Sequence, residues 1–259
     1  SPAGVAYADL LEDMLFSSDL FKQFNEQNGL KRESRRRNLL DTLLACYSEF
    51  GGSYSKPQIA IVDWRTVRTR PEFEALKLYF EGEGYPTTIV DPRDLAFKRG
   101  QLYDGEFRID LVYRRVIFGE LVDKLDECQE LIKAYKARAI CMVNPLRSRL
   151  AATKAVMSIL TNPEFNQYFS EEENTVKSRY IPWTRRIIDA DKFYGGRKVY
   201  LLDFLKDEKD TLVLKPSEGY GGHDVTIGRE STNDEWNKTI DKALKSDWVV
   251  QEFCNIPTM

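Results

Sequence analysis

The chain has 259 residues and a formal net charge of −3, with 42% hydrophobic and 31% charged residues. This balance is typical of a globular protein with one large domain or two ordinary ones. The negative charge gives no electrostatic support for a nucleic-acid partner, no apolar run approaches the ~20 residues of a membrane helix, and no signal-peptide pattern opens the chain.

The four cysteines are widely spaced and form no CxxC pair, which predicts free thiols in a reducing cytoplasm. They are Cys46, Cys128, Cys141 and Cys254. His223 is the single histidine, which argues against a His-rich metal site and against a Ser-His-Asp triad. We interpret it as a loop residue rather than a general base.

The first predicted elements are helices. Apolar residues near helical spacing run from Pro2 to Phe24, and polar residues with a glycine interrupt the pattern at 25–29. A second helix is predicted from about Glu33 to Phe50. Its basic start is interpreted as a solvated face rather than an anion site. Residues 1–56 are therefore predicted to form an N-terminal helical segment.

A β-α-β pattern follows. The strand at 58–64, the helix at 70–84 and the strand at 87–90 predict part of a parallel sheet. Residues 97–109 alternate around two turn positions and predict a hairpin excursion.

Further strands are predicted at 109–115 and 139–143, separated by one long helix over 116–137. Residues 57–145 are thus predicted to form a Rossmann-like α/β domain. Ligand sites in α/β sheets lie at the carboxyl ends of the strands.

A helix is predicted over 146–160, with Arg147 and Lys154 on one face. Residues 162–178 are polar and predicted to be mobile, and a short helix is predicted over 199–206. Residues 146–259 are assigned to one nucleotide-binding region, for the reasons below.

The most informative stretch is LVLKPSEGYGGHDVTIG, residues 212–228. A buried strand ends at Lys215, a glycine-rich loop follows, and 225–227 predicts a returning strand. A helix over 233–245 and a strand over 248–253 complete the chain.

The glycine-rich loop has two interpretations. Glycines let backbone N–H groups surround an anion, whereas the alternative interpretation is a tight hairpin turn. Glu218 would repel a bare phosphate but suits a Mg²⁺ ion placed between them.

Two arginines, Arg114 and Arg115, lie at a strand end, and a guanidinium group matches a carboxylate. They point to opposite sides of the strand, so one is expected to bind the substrate and the other to form a structural ion pair. Asn144 and Arg147 are substrate-binding candidates of the same kind.

The order of these elements resembles the ATP-grasp fold. The features that match are a strand end with Asn144, a helix with Lys154, the Lys215-Pro216 strand with its glycine loop, and a strand ending in Gln251-Glu252-Phe253. The resemblance implies an α/β fold that binds ATP and Mg²⁺, preceded by a Rossmann-like domain. It assigns the ATP phosphates to Lys154, Lys215, Gly219, Gly221 and Gly222, adenine to Gln251, Glu252 and Phe253, and the metal to Glu218.

A narrower likeness is to the circularly permuted ATP-grasp proteins that are similar to glutathionylspermidine synthase. KPSEGYGG is similar to the KP…EGGG loop of eukaryotic-type glutathione synthetases, with a one-residue gap. In permuted members a Glu-x-Asn metal motif precedes a turn that Ser1-Pro2-Ala3-Gly4 resembles. The resemblance therefore implies that this chain is a fragment, that residues 1–56 are the end of the metal-site half of the ATP-grasp domain, and that these ligands lie upstream. In an unpermuted order they would follow Met259.

The family reaction is ATP-dependent ligation of a carboxylate to an amine through an acyl phosphate, with small-molecule substrates and no membrane or nucleic-acid partner. Two alternatives remain. One is a catalytically inactive nucleotide-binding or partner-binding module, and the other is a small-molecule-binding α/β protein whose glycine loop is only a turn. The sequence names neither the acid nor the amine, and it does not indicate an oligomeric state.

Overall fold

The computed structural model describes residues 3–219 and 221–255. The chain divides into two compact units, Ser1–Arg147 and Ser148–Met259. Within the described residues, no helix is long and apolar enough to cross a membrane, and the four cysteines are free.

The first unit is built on a parallel sheet of four strands in the order β2-β1-β6-β7. The strands are β1 (Ile59–Val62), β2 (Thr87–Val90), β6 (Leu111–Arg114) and β7 (Cys141–Val143). Every residue of β1 and β6 is buried, since helices and loops cover both faces of the sheet. The predicted parallel sheet is confirmed.

In the part of the first unit that the structure describes, the α-helices beside this sheet are α1 (Val5–Ser17), α2 (Asp19–Asn28), α3 (Arg35–Phe50), α4 (Arg70–Gly82), α5 (Phe118–Asp123) and α6 (Gln129–Lys136). Alternation along β1 separates two cores. Ile59 and Ile61 join the core formed with α1, α3 and α4, whereas Ala60 and Val62 join the core formed with α5 and α6. The N-terminal helices thus share a core with the sheet.

The predicted hairpin excursion is a three-stranded antiparallel sheet of β3 (Leu95–Lys98), β4 (Gln101–Asp104) and β5 (Phe107–Ile109). The strand predicted over 109–115 was wrong at its start, because Ile109 ends β5 and Leu111 begins β6. Asp110 lies between them, and its carboxylate accepts a hydrogen bond of 2.9 Å from the backbone N–H of Gln58.

The single long helix predicted over 116–137 was also wrong. The segment contains α5, a 3-10 helix at Leu125–Cys128, and α6. Each part has its own anchor: the Glu120 carboxylate accepts from Trp64 Nε1 at 2.8 Å, and the Glu130 carboxylate accepts from Phe97 N at 2.9 Å. These contacts with residues far away in the sequence orient α5 and α6 separately. The hydrophobic periodicity of the segment does not reveal that separation.

Asp9 of α1 caps the start of α3. Its carboxylate accepts from the backbone N–H groups of Arg35 at 2.9 Å and Arg36 at 3.0 Å. Ser34 accepts from the N–H group of Arg37 at the same terminus, at 3.2 Å. Burial acts to raise the pKa of Asp9, but the hydrogen bonds from Arg36 and Arg35 outweigh it and hold this pKa at about 2.

We expect Asp9→Asn to lower the free energy of unfolding at pH 7 by ~2 kcal/mol, because the ionised carboxylate is bound more strongly in the folded state. The pKa of Asp9 falls from 3.8 to about 2 on folding. Its contribution is therefore present above pH 3.8 and lost as the pH falls toward 2. Urea unfolding of the parent and the variant from pH 7 to pH 2 measures the free energy of unfolding. If this free energy fell equally in the two proteins as the pH is lowered, the stabilising role of ionised Asp9 would be contradicted.

The second unit contains an antiparallel sheet in the order β12-β11-β13-β8 and a separate hairpin of β9 and β10. The strands are β8 (Thr184–Arg186), β9 (Asp191–Tyr194), β10 (Arg197–Tyr200), β11 (Leu212–Pro216), β12 (Thr226–Ile227) and β13 (Trp248–Glu252). The helices are α7 (Arg149–Ala152), α8 (Ala155–Leu160), α9 (Glu171–Tyr180), α10 (Leu201–Asp207) and α11 (Asn233–Ala243). Leu212, Leu214 and Val250 pack with Trp236 in its core.

The prediction of a single helix over 146–160 was wrong. The single helix over 146–160 is a 3-10 helix at Leu146–Ser148, then α7 and α8, with extended backbone at Thr153 (ψ 145°). The argument that Arg147 and Lys154 share one helical face therefore fails. The polar stretch 162–178 is largely helical, because a capping box between Ser170 and Glu173 begins α9.

Candidate functional site

Lys215 is positioned by the antiparallel pairing of β11 with β13. Its Nζ donates to Gln251 Oε1 at 2.7 Å, and Gln251 Nε2 donates to Thr184 Oγ1 at 2.9 Å. The side chain is half-buried. A neutral amide therefore orients this ammonium group without cancelling its charge.

Ser217 joins the start of α8 to the end of β11. Its carbonyl accepts from Lys154 N at 2.9 Å, and its hydroxyl accepts from Ala155 N at 3.3 Å. This attachment brings Lys154 Nζ within 3.0 Å of the carbonyl oxygen of Gly219 in the loop. Lys154 and Lys215, which are distant in sequence, thus lie beside the same glycine loop.

The electrostatics of this cluster favour an anion. Burial lowers the pKa of Lys215, and the charge of Lys154 lowers it further. Burial likewise lowers the pKa of Lys154, and Arg149 adds to that effect. Each cation is therefore destabilised by desolvation and by its neighbour, and a bound polyanion would relieve both costs.

The loop backbone requires glycine. Gly219, Gly221 and Gly222 have φ of 128°, 67° and 77°, in a region that L side chains rarely adopt. Tyr220 lies outside the described residues. Gly228 serves another purpose, because a Cβ there would lie 1.8 Å from the Lys209 carbonyl oxygen.

Glu218 forms an ion pair with Arg149, at 2.5 Å between Nη2 and Oε2. Sequence reasoning missed Arg149, since nothing in its local sequence pattern distinguishes it from the other arginines of the chain. Within residues 3–219 and 221–255, no group of three or more His, Cys, Asp or Glu side chains could hold a metal ion. A Mg²⁺ ion here would fit only with Glu218 and the phosphates as its main ligands, a pattern that Mg²⁺ uses.

The predicted adenine-binding segment is firmly tied to the rest of the unit. Glu252 N donates to the Trp183 carbonyl at 2.9 Å, and Phe253 N donates to the Thr211 carbonyl at 2.8 Å. The Glu252 carboxylate accepts from Trp183 N at 3.1 Å, and the Arg229 guanidinium lies 3.8 Å from the centre of the Phe253 ring. Both amide groups already have protein partners, and the adenine assignment stays a prediction.

In the first unit, Arg114 lies at the end of β6 and contacts the backbone that follows β6 and β7. Its Nε donates to the Asn144 carbonyl at 3.0 Å, and its Nη1 donates to the Val116 carbonyl at 2.6 Å. The side chain is buried, and burial lowers its pKa. These contacts give Arg114 a structural role, and its predicted role toward substrate is untested by them.

Arg115 faces two buried carboxylates. Its Nη2 lies 3.6 Å from Glu72 Oε2, and its guanidinium lies 5.3 Å from the centre of the Phe73 ring. Burial raises the pKa of Asp63 to about 6, although the charge of Arg115 acts in the opposite direction. The structural ion pair expected of one arginine is thus present at Arg115.

Asn144 and Arg147 line one cavity of about 680 Å³ in the first unit. Lys136 and Arg138 line it as well. The sequence analysis did not select these two residues, because they lie at a helix end that carries no motif.

Residues 2–251 match the sequence profile of a family described as a circularly permuted ATPgrasp. This chain belongs to the circularly permuted ATP-grasp family. A putative glutamate–cysteine ligase of Frankia casuarinae is 23% identical over 99% of this chain and 29% of its own length. An uncharacterized protein of Mycobacterium tuberculosis is 22% identical over 66% of this chain and 31% of its own length.

Among solved structures, an apo glutathione synthetase like-effector from Globodera pallida aligns with a TM-score of 0.56 at 13% identity. The match covers 91% of this chain and 51% of that one. This likeness concerns the fold and supports the ATP-grasp architecture predicted from the sequence. The chain spans less than a third of the length of the two curated relatives.

Proposed function

We propose that this ATP-grasp chain contributes the nucleotide site of an ATP- and Mg²⁺-dependent ligase that joins a carboxylate to an amine. The observation that carries the proposal is the convergence of Lys154 and Lys215 beside a loop whose glycines have positive φ. The name of the Frankia relative, a putative glutamate–cysteine ligase, is consistent with amide formation.

The proposed roles follow from the chemistry of each group. Lys154 and Lys215 bind the phosphates together with the backbone of Gly219, Gly221 and Gly222, and Glu218 helps to bind Mg²⁺. Adenine contacts the strand end at Gln251, Glu252 and Phe253. The carboxylate substrate is assigned to Asn144, Arg147, Arg114 and Arg115.

We also propose three regions: a helical segment at 1–56, a Rossmann-like domain at 57–145, and the ATP-grasp nucleotide region at 146–259. The free cysteines favour action in the reducing cytoplasm.

The proposed reaction has two steps. The substrate carboxylate attacks the γ-phosphorus of ATP, which releases ADP and gives an acyl phosphate. An amine then displaces phosphate and leaves an amide. The protein's contribution is positioning and charge neutralisation, because no covalent enzyme intermediate is required.

Hydroxylamine trapping tests this chemistry without knowledge of the amine. The full-length protein is incubated with Mg-ATP, hydroxylamine and pools of carboxylic acids, and hydroxamates and ADP are measured together. We expect an acid-dependent hydroxamate in amounts equal to ADP, because hydroxylamine intercepts an acyl phosphate. Nucleotide binding without any hydroxamate would instead favour an inactive nucleotide-binding module.

The metal role of Glu218 gives a separate prediction. Glu218→Gln should raise the Mg²⁺ concentration needed for half-maximal ATP binding by about tenfold, because a ligand charge is lost. Affinity for ATP without Mg²⁺ should be unchanged or higher, since a negative charge near the phosphates is removed. Calorimetric titration at several Mg²⁺ concentrations measures both quantities.

The matched control for this prediction is Glu230→Gln, an exposed carboxylate in the same unit. An unchanged Mg²⁺ requirement in Glu218→Gln would show that this carboxylate serves only as the partner of Arg149.

A further inference from the structure

A groove runs along β7, the end strand of the parallel sheet in the first unit. It is part of the cavity of about 680 Å³, and residues 140–145 line it without interruption. The carboxyl-terminal ends of α3 and α6 form its walls, through Phe50 and Tyr135 among others. A cavity of this size is typical of ligand-binding sites.

Met142 of β7 lines this groove and is 5% exposed. Cys141 N donates to the Asp110 carbonyl at 3.0 Å, on the side of β6. Because successive residues of a strand direct their N–H and C=O groups to opposite sides, those of Met142 are directed away from β6. Within the described part of the chain, β6 is the one sheet neighbour of β7. Such an edge can pair with an added strand.

The groove also has an excess of positive charge. Lys136, Arg138 and Arg147 line it, against the single carboxylate of Glu49. All three cations are exposed. Among the residues that the structure describes, none of the three forms an ion pair. Arg138 also lies over the ring of Phe50, at 5.7 Å from its centre, which orients its guanidinium.

We propose that this groove binds an extended polypeptide segment with acidic side chains, which pairs with β7 as an additional strand. The main-chain groups of Met142 recognise a peptide backbone, and the three cations select carboxylates on that peptide. A small anion or a nucleic acid would use the cations but would leave the strand edge unpaired. Peptide binding does not require ATP, so it is tested separately from nucleotide binding. Asn144 and Arg147, which are assigned above to the carboxylate substrate, line the same groove, so the peptide and that substrate should compete there.

The test uses fluorescence anisotropy with a labelled hexapeptide of alternating valine and glutamate, in the absence of nucleotide. We expect saturable binding that weakens at least tenfold when alternate peptide nitrogens are methylated, because N-methylation removes the main-chain donors. Replacing the glutamates with glutamines should weaken binding similarly. Hydrogen exchange of the Met142 amide should slow when the unmodified peptide is bound.

Arg138→Glu is the protein variant, since its side chain is exposed and its replacement should leave folding intact. It should weaken peptide binding at least tenfold, whereas the control Lys98→Glu, an exposed lysine on β3, should have no effect. Equal binding of the methylated peptide would overturn strand addition in favour of a small-anion site. Failure of the unmodified peptide to bind would overturn the proposal altogether, whether or not the chain binds ATP.

Discussion

Lys215→Met should weaken Mg-ATP binding by at least ~10-fold while leaving the nucleotide-free protein no less stable. A hydrogen bond between charged groups contributes about 1.5–3 kcal/mol, which corresponds to about 10–150-fold in affinity. Methionine keeps most of the aliphatic length of lysine, so the packing beside Gln251 changes little. The variant therefore removes the charge together with the hydrogen bond from Nζ to Gln251 Oε1.

The expected stability of this variant follows from the pKa. Burial and the nearby Lys154 lower the pKa of Lys215 below its ordinary 10.5. The unfolded state therefore binds the proton more tightly, and the protonated side chain costs stability at neutral pH. This cost diminishes as the pH rises toward 10.5. Lys215→Met removes it at all pH values, so the melting temperature at pH 7 should be equal to or higher than that of the parent.

Calorimetry with Mg-ATP and thermal unfolding with and without Mg-ATP give the two measurements. The parent should melt at a higher temperature with the nucleotide, because a ligand that binds only the folded state stabilises it. Lys215→Met should show no such increase. The matched control, Lys245→Met, alters an exposed lysine and should behave like the parent. Unchanged nucleotide affinity in Lys215→Met would show that the site lies elsewhere.

The local sequence pattern was sufficient to predict those parts of the candidate site that depend on residues adjacent in the chain. The β-branched and apolar run before Lys215 predicts a buried strand, and the glycines after it predict a backbone with positive φ. Both features are present in β11 and at Gly219, Gly221 and Gly222. The parallel sheet was predictable for the same reason, since each strand ends at its own turn residues.

What the sequence did not predict depends on residues far apart in the chain. Ser217 sets the start of α8 through two hydrogen bonds to residues more than 60 positions earlier. Arg149 and Glu218 are 69 positions apart. Helical periodicity continues through Thr153, so only these tertiary contacts explain why the predicted helix breaks there. Lys136 and Arg138 became candidates only when the edge of β7 was located.

The largest loss of stability is expected from Arg115→Met. The Arg115 and Glu72 side chains are 7% and 1% exposed, and their charged groups lie 3.6 Å apart. Removing one partner of a buried ion pair costs about 3–5 kcal/mol, because the other charge is left without compensation. Urea unfolding at pH 7.5 measures this loss. Arg65→Met is the control, since its exposed pair with Asp94 should contribute less than ~1 kcal/mol.

The stability loss in Arg115→Met should depend on pH, and the protonation of Asp63 should set the direction of that dependence. Its pKa is raised on folding from 3.8 to about 6, chiefly by burial. The proton on Asp63 therefore stabilises the folded state below pH 3.8, and this contribution disappears as the pH rises through 6. Without Arg115, which acts to lower that pKa, ionised Asp63 becomes more costly. The deficit of Arg115→Met should thus be largest above pH 7 and smaller near pH 5.

A double variant separates the structural role of Arg115 from its proposed role toward substrate. Replacing both Arg115 and Glu72 with Met should recover most of the stability near pH 5, where Asp63 is largely protonated, because apolar residues often substitute for a buried ion pair without loss. If Arg115 also binds the substrate carboxylate, this stable double variant should still fail to form hydroxamate, while binding Mg-ATP normally. Hydroxamate at the parent rate would show that Arg115 is purely structural.

A stability loss below ~1 kcal/mol in the single variant Arg115→Met would contradict the ion-pair argument, because it would mean that Glu72 and Asp63 do not need this charge.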